Sequence, residues 1–256
     1  MSWLAVWLVG VGLADVVRAA FRPGAARFPT AVGVAAVAAL AVLAGLTAPV
    51  DLVVLAASLV PLGLWVRLSG QALTTGSGHG PALAALAAGG AWLVALSGWA
   101  TPAGGPLARW LGWADLPFLD GADDPGRVLL LAGLFLVNIA TANVVVRLVL
   151  VSVGALRPSQ PDDLERDPQP SDQLRGGRLL GPMERVLILG LGLAGQLTAA
   201  GLVIAAKGLI RVPELQAKRD ETTTVEAVGI DKVTEYFLVG SFVSWLIALS
   251  SLALTG

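Results

Sequence analysis

Long apolar runs constrain the fold of this chain more than any other feature of its sequence. Such runs recur at the length of about 20 residues that an α-helix needs to cross a bilayer. Apolar residues make up 55% of the 256 positions and charged residues only 14%, whereas soluble domains carry about 25% charge. The sequence therefore predicts an all-α integral membrane bundle of about seven transmembrane helices. Their predicted bounds are about 2–21, 30–48, 52–69, 82–100, 128–153, 184–206 and 235–254.

The segments between these runs divide the chain. We expect 1–155 to form an N-terminal membrane region of about five spans, and 183–256 to form a C-terminal region of two spans. Residues 156–182 are rich in proline and charge, which is typical of a solvated linker. A flexible glycine- and serine-rich turn is predicted at 70–81, and a charged loop at 207–234.

The connection at 101–127 carries an amphipathic pattern. Four residues recur at helical spacing there, namely Leu107, Trp110, Leu111 and Ala114. Because tryptophan is favoured where lipid meets water, the pattern predicts a short interfacial helix near 105–118.

Several kinds of site are excluded by composition. The chain has no cysteine and a single histidine, His79, so no cysteine-based or multi-histidine metal site can form. The net charge of −1 gives no indication of nucleic-acid binding. The short motifs of serine hydrolases, zinc proteases and P-loop proteins do not occur. We expect no metal and no cofactor.

The location and orientation of the chain follow from its basic residues and composition. Residues 1–14 contain no lysine or arginine, so we expect a retained first span rather than a signal peptide. Abundant alanine, glycine, proline and arginine indicate a GC-rich bacterial gene and a multi-pass protein of the cytoplasmic membrane. Simple alternation puts the basic segments 156–182 and 207–234 on opposite sides, against the positive-inside rule. A re-entrant 184–206 would put both on one side.

A dinucleotide fingerprint occurs within the sixth run. Residues 190–195 match G-x-G-x-x-G, and 186–189 could be the strand that precedes it. We prefer a membrane helix, because the chain supplies too few further strands for a nucleotide-binding sheet. Gly190, Ala194 and Thr198 recur every four residues, as small residues do in closely packed membrane helices. On this interpretation Gly190, Gly192 and Gly195 serve packing and bind no cofactor.

The last third of the chain carries an ordered set of motifs. They are G-R-x-x-G-x-x-E-R at 177–185, A-A-K-x-x-x-R at 205–211 and E-Y-x-L-x-G at 235–240. This set resembles the C-terminal membrane region of a bacterial family of uncharacterised polytopic membrane proteins, over about 174–250. The resemblance implies an architecture and candidate residues, and no activity.

Ionisable residues beside the last two spans form a candidate ionic cluster. Its members are Glu184, Arg185, Lys207, Arg211, Glu235 and Tyr236. Two interpretations remain open. An acid at the start and a base at the end of 184–206 would complement the helix dipole. Alternatively, Lys207 or Arg211 pairs with Glu235 to bind an anionic headgroup or to gate a cavity.

Polar residues within the spans form a candidate polar interior. They are Asn138, Thr141, Asn143, Arg147 and Gln196. Such residues usually hydrogen-bond between helices, or they line a path for a solute. Arg147 is expected at a span end or beside a buried carboxylate, Asp15 or Glu184. Asp15 and Arg18 are three residues apart and can pair on one helix face, and a buried Asp15 could carry a proton.

Three functions follow from these patterns. We expect a non-catalytic transporter or channel-like protein with a polar interior site. The alternative is a membrane assembly, sensing or regulatory partner that acts through its charged loops. An intramembrane enzyme on a lipid-linked substrate is the third interpretation. The expected partners are the lipid bilayer and a second copy or another membrane protein.

Overall fold

The computed structural model describes residues 1–20, 27–114, 124–157, 177–221 and 227–255, without the side chains of 177–179, 210–221 and 227–233. Within these ranges all regular structure is helical, which confirms the all-α prediction there. The helices are α1 (Ser2–Ala20), α2 (Arg27–Leu43), α3 (Pro49–Thr75), α4 (His79–Ala95), α5 (Gly105–Ala114), α6 (Pro125–Leu136), α7 (Ala142–Ser152), α8 (Gly177–Leu193), α9 (Leu197–Glu221) and α10 (Ala227–Ala253). A π-helical turn at Val137–Thr141 joins α6 to α7.

Among the described residues, four helical segments are long and apolar enough to cross a membrane. They are Ser2–Ala20, Pro49–Thr75, Pro125–Ser152 and Thr234–Ala253. The predicted count of about seven is not confirmed. Two of the remaining predicted spans are the shorter helices α2 and α4, each of 17 residues. The third, 184–206, is not a single helix.

The chain forms two compact units. The first comprises Met1–Gln71 with Gly80–Thr141, and α1 is its central helix. Every residue of α1 from Ser2 to Gly12 is buried. A helix that is apolar and buried all round belongs to a core, and packing of this kind depends on close helix contacts.

Indole and carboxyl groups fix α3 against α1. The bonds are Trp3 Nε1 to Asp51 Oδ1 at 2.7 Å, Trp7 Nε1 to the Ser58 carbonyl at 2.9 Å, and Trp65 Nε1 to Asp15 Oδ2 at 3.0 Å. Because the partners follow in the same order along both helices, α1 and α3 run parallel. Each indole N–H is satisfied in an otherwise apolar interface, as buried donors require.

The second unit comprises Ala72–His79 with Ala142–Leu254. Here the predicted single span at 184–206 is wrong, because α8 ends at Leu193 and α9 begins at Leu197. Gly195 has a φ of +73°, and the N–H of Gln196 bonds to the carbonyl of Leu191 at 2.8 Å. This is the glycine cap that ends many helices. The last glycine of the fingerprint therefore makes a turn.

The two helices on either side of this turn form a hairpin. Ile188 of α8 packs with Ala200 of α9 in one buried cluster, which also contains Ala248 of α10. Farther from the turn, Glu184 of α8 pairs with Lys207 of α9. In both contacts, the residue of α8 and the residue of α9 lie at similar distances along the chain from Gly195. The two helices therefore run antiparallel. The face of Gly190, Ala194 and Thr198 predicted for one continuous helix does not exist.

Several predicted loops are largely helical. α3 continues to Thr75 and α4 begins at His79, so the predicted turn at 70–81 shrinks to 76–78. α9 continues to Glu221 and α10 begins at Ala227, so most of the predicted loop 207–234 is also helix. The residues concerned include glutamate, lysine, arginine and glutamine, which are polar but good helix formers.

The other two predicted connections are only partly described. For the linker 156–182, residues 158–176 lie outside the described residues, and α8 begins at Gly177. The structure has a helix, α5, where an interfacial helix was predicted near 105–118; α5 ends at Ala114, and 115–118 lie outside the described residues. Trp110 and Trp113 on α5 are exposed, and the location of α5 at a membrane interface stays a prediction.

Candidate functional site

The candidate site is a charged cluster in the second unit, made by Glu184, Arg185 and Lys207. Lys207 Nζ lies 2.5 Å from Glu184 Oε2, and Trp245 Nε1 donates to Glu184 Oε1 at 2.8 Å. Both oxygens of this carboxylate therefore have hydrogen-bond partners within the protein. Only 6% of the Glu184 surface is exposed. A buried carboxylate needs such pairing, since an unpaired buried charge is strongly unfavourable.

Aromatic rings enclose the lysine of this pair. Lys207 Nζ lies 5.9 Å from the centroid of the Phe237 ring and 5.8 Å from that of the Trp245 ring. Both distances are within the range of a cation–π attraction, which is stronger away from water. Trp245 thus contacts both members of the ion pair, through its N–H and through its ring face.

Arg185 follows Glu184 on α8 and binds two other helices. Its Nη2 donates to Asn143 Oδ1 of α7 at 2.5 Å, and its Nη1 donates to Ser244 Oγ of α10 at 2.9 Å. Only 2% of Arg185 is exposed. Glu184 and Arg185 are adjacent on α8. Together their side chains connect α8 with three neighbouring helices, α7, α9 and α10.

The cluster lies far from the helix ends. Glu184 is about two turns inside α8, and Lys207 is about three turns inside α9. Ser244, the partner of Arg185, and Trp245, the partner of Glu184, fall in the middle of the apolar segment Thr234–Ala253. Complementation of a helix dipole acts within the first or last turn, so that interpretation of Glu184 and Lys207 is wrong.

The remaining members of the predicted ionic cluster lie elsewhere. Lys207 pairs with Glu184, so the predicted pairing of Lys207 with Glu235 is wrong, and Glu235 is exposed. Tyr236 packs partly buried against the group of Leu150 and Val151. The side chain of Arg211 lies outside the described residues.

The predicted polar interior is divided in the structure. Asn138 and Thr141 are fully buried in the π-helical turn, where Asn138 Nδ2 donates to the Leu134 carbonyl at 2.9 Å. Asn143 binds Arg185, as described above. Gln196 and Arg147 are exposed, so their assignment to an interior is wrong. Gln196 was misplaced because the hairpin turn carries it to the tip of α8 and α9.

The sequence interpretation missed Ser244 and Trp245. A usable signal was present, because the last apolar run contains four serines, and three of them, Ser241, Ser244 and Ser251, are buried in the structure. Buried hydroxyls in a membrane helix usually hydrogen-bond to a neighbouring helix. Trp245 follows Ser244 directly and brings an N–H donor to the same level.

The described part of the chain offers neither a metal site nor a dinucleotide site. No group of three or more histidine, cysteine, aspartate or glutamate residues there could hold a metal ion. Residues 186–189, the strand that a dinucleotide site would need, belong to α8. Comparison of the chain with known protein families, with curated protein sequences and with solved structures finds no match. The geometry of the cluster is therefore the guide to function.

Proposed function

We propose that this protein is a multi-pass protein of the bacterial cytoplasmic membrane that conducts or transports an ion, without catalysis. The observation that carries the proposal is the position of the buried Glu184 and Arg185 and the partly buried Lys207, level with the middle of Thr234–Ala253. Ionisable residues cost about 2.5 kcal/mol or more at the centre of a membrane helix, and those that persist commonly serve ion or proton pathways.

In this proposal the α8–α9 hairpin is re-entrant. It enters the membrane, turns at Gly195, and leaves on the side where it entered, while α2 and α4 cross together with the four longer segments. Interrupted helices at membrane depth are tolerated where protein covers them or where they line an aqueous cavity. The arrangement leaves the basic segments 156–182 and 207–234 on one side, in agreement with the positive-inside rule.

Ion flux into proteoliposomes tests this function. The full chain is reconstituted, and entry of potassium, chloride and protons is followed separately with trapped ion-sensitive dyes. We expect flux of at least one of these ions above that of protein-free liposomes. Glu184→Gln and Lys207→Met should each reduce it to the protein-free level, because each breaks the charged cluster.

Glu235→Gln is the matched control, since it makes the same chemical change at an exposed position of α10. It should leave the flux unchanged. Variants are compared after gel filtration has shown that each is monodisperse. Absence of flux for all three ions, or flux that survives both cluster substitutions, would contradict the proposal. The assembly-partner alternative predicts instead that the cluster substitutions are tolerated and that deletion within 158–176 abolishes function.

A further inference from the structure

The first unit holds a second ion pair, with a buried carboxylate, which the proposed function does not use. Asp15 is 2% exposed, and its Oδ1 accepts a hydrogen bond from Arg18 Nη2 at 2.5 Å. This confirms the pairing predicted from their spacing. Trp65 Nε1 donates to the other carboxylate oxygen at 3.0 Å. Asp15 lies within the apolar segment Ser2–Ala20, and acidic residues in such segments commonly belong to proton relays or ion pathways.

Arg18 retains partners when Asp15 is neutral. Its Nη1 lies 2.5 Å from Ser69 Oγ and 3.3 Å from the Val66 carbonyl oxygen. The guanidinium carbon also lies 6.0 Å from the centroid of the Trp65 ring, at cation–π distance. Loss of the carboxylate charge therefore does not leave this partly buried arginine without acceptors, which would otherwise oppose protonation.

Thr141 offers the acceptor that a protonated carboxyl group needs. Its side chain is fully buried and faces the Asp15 carboxylate. A carboxylic acid donates one O–H bond, and a hydroxyl oxygen can accept it. Thr141 ends the π-helical turn Val137–Thr141, and such turns are frequent at functional sites.

We propose that Asp15 is a proton-binding site. In the protonated form, the O–H of its carboxyl group donates a hydrogen bond to the Thr141 hydroxyl oxygen. The proton exchanges at the end of α1 where the Arg18 side chain is partly exposed. Binding adds one proton to the Asp15 carboxylate and needs no other reactant. The ligand of this site in the first unit is therefore a proton. This inference does not rest on the proposed transport function.

The charged side chain that faces Asp15 is that of Arg18. Other charged residues on the helices packed around it point away, since Arg27 of α2, Arg67 of α3 and Arg127 of α6 are exposed. Asp51 is buried at the opposite end of α3, beside Trp3. Among the described residues, Arg18 is thus the one charged group beside Asp15, and Trp65 and Thr141 are its neutral neighbours.

Infrared difference spectroscopy of the full chain in lipid bilayers tests this proposal. The acid-minus-neutral spectrum of the wild-type protein should contain the carbonyl stretch of a protonated buried carboxyl group. Asp15→Asn should remove that band. Asp51→Asn replaces the other buried aspartate of this unit and should leave the band in place.

Trp65→Phe covers the case in which Asp15→Asn does not fold. It removes the indole donor but keeps the ion pair, so the band should move to higher frequency. The proposal is overturned if no such band forms, or if the band is unchanged by whichever of Asp15→Asn and Trp65→Phe folds. If the infrared band shows proton binding at Asp15 but the liposome assay shows no ion flux, only the proposed transport function is contradicted.

Discussion

Replacing Lys207 with methionine is expected to destabilise the protein by about 3–5 kcal/mol, because it leaves the Glu184 carboxylate buried without its cation. Trp245 then remains as the hydrogen-bond donor to this carboxylate. Methionine keeps a flexible apolar chain that fills most of the space of the lysine stem, so the loss reports mainly on charge. Thermal unfolding of the purified protein in detergent measures the effect.

Two further variants separate the charge effect from general sensitivity of this unit. Glu235→Gln removes an exposed carboxylate from α10 and should change the stability by no more than about 0.5 kcal/mol. The double variant Glu184→Gln with Lys207→Met removes both charges, so it should be more stable than Lys207→Met alone. If Lys207→Met is as mild as Glu235→Gln, the pair does not hold the hairpin.

Gly133→Leu is expected to produce the second large loss, through overpacking against α1. A Cβ atom added at Gly133 would lie 2.8 Å from Leu8 Cβ and 3.1 Å from the Ala5 carbonyl oxygen. Both neighbours belong to the central helix, whose backbone cannot move aside without disturbing the whole first unit. Overpacking of this kind costs about 1–3 kcal/mol, and occasionally more. The shift in unfolding temperature measures it.

Gly63→Leu is the matched control for this substitution. Gly63 is also helical, in α3, but a Cβ atom there would meet nothing within 4 Å. Leucine favours a helix over glycine by several tenths of a kcal/mol, so Gly63→Leu should be neutral or stabilising. Equal losses for the two variants would show that α1 and α6 are not in close backbone contact.

Helix content and the location of the first helix could be read from the sequence. The first apolar run was expected at about 2–21, and α1 spans Ser2–Ala20. The pairing of Asp15 with Arg18 also followed from their spacing on one helix face. These are local properties, because they depend on residues that are neighbours along the chain.

The direction of the chain after Gly195 could not be read in the same way. Hydropathy measures how apolar a segment is, and it is the same for one long helix and for two helices that fold back. A glycine in the middle of an apolar run is typical of close packing as well as of a turn. The inconsistency of the basic segments with simple alternation was the one observation that pointed to a re-entrant segment.

The partners of the charged residues also could not be predicted from local sequence patterns. Once α8 and α9 fold into a hairpin, Glu184 meets Lys207 across the turn, and neither lies at a helix end. Without the hairpin, the same two residues mark opposite ends of a span, where a dipole explanation is natural. The error in the hairpin therefore caused the error in the ionic cluster.

The most direct test of the hairpin uses the absence of cysteine from the chain. Single cysteines are introduced at Ser159 and at Thr223, before and after the hairpin, and intact cells are treated with a membrane-impermeant maleimide. A third cysteine at Ala122 is the control, since Ala122 and Ser159 flank the apolar segment Pro125–Ser152. We expect Ser159 and Thr223 to behave alike and Ala122 to behave oppositely. If Ser159 and Thr223 differ until the cells are lysed, residues 184–206 cross the membrane and the re-entrant hairpin is wrong.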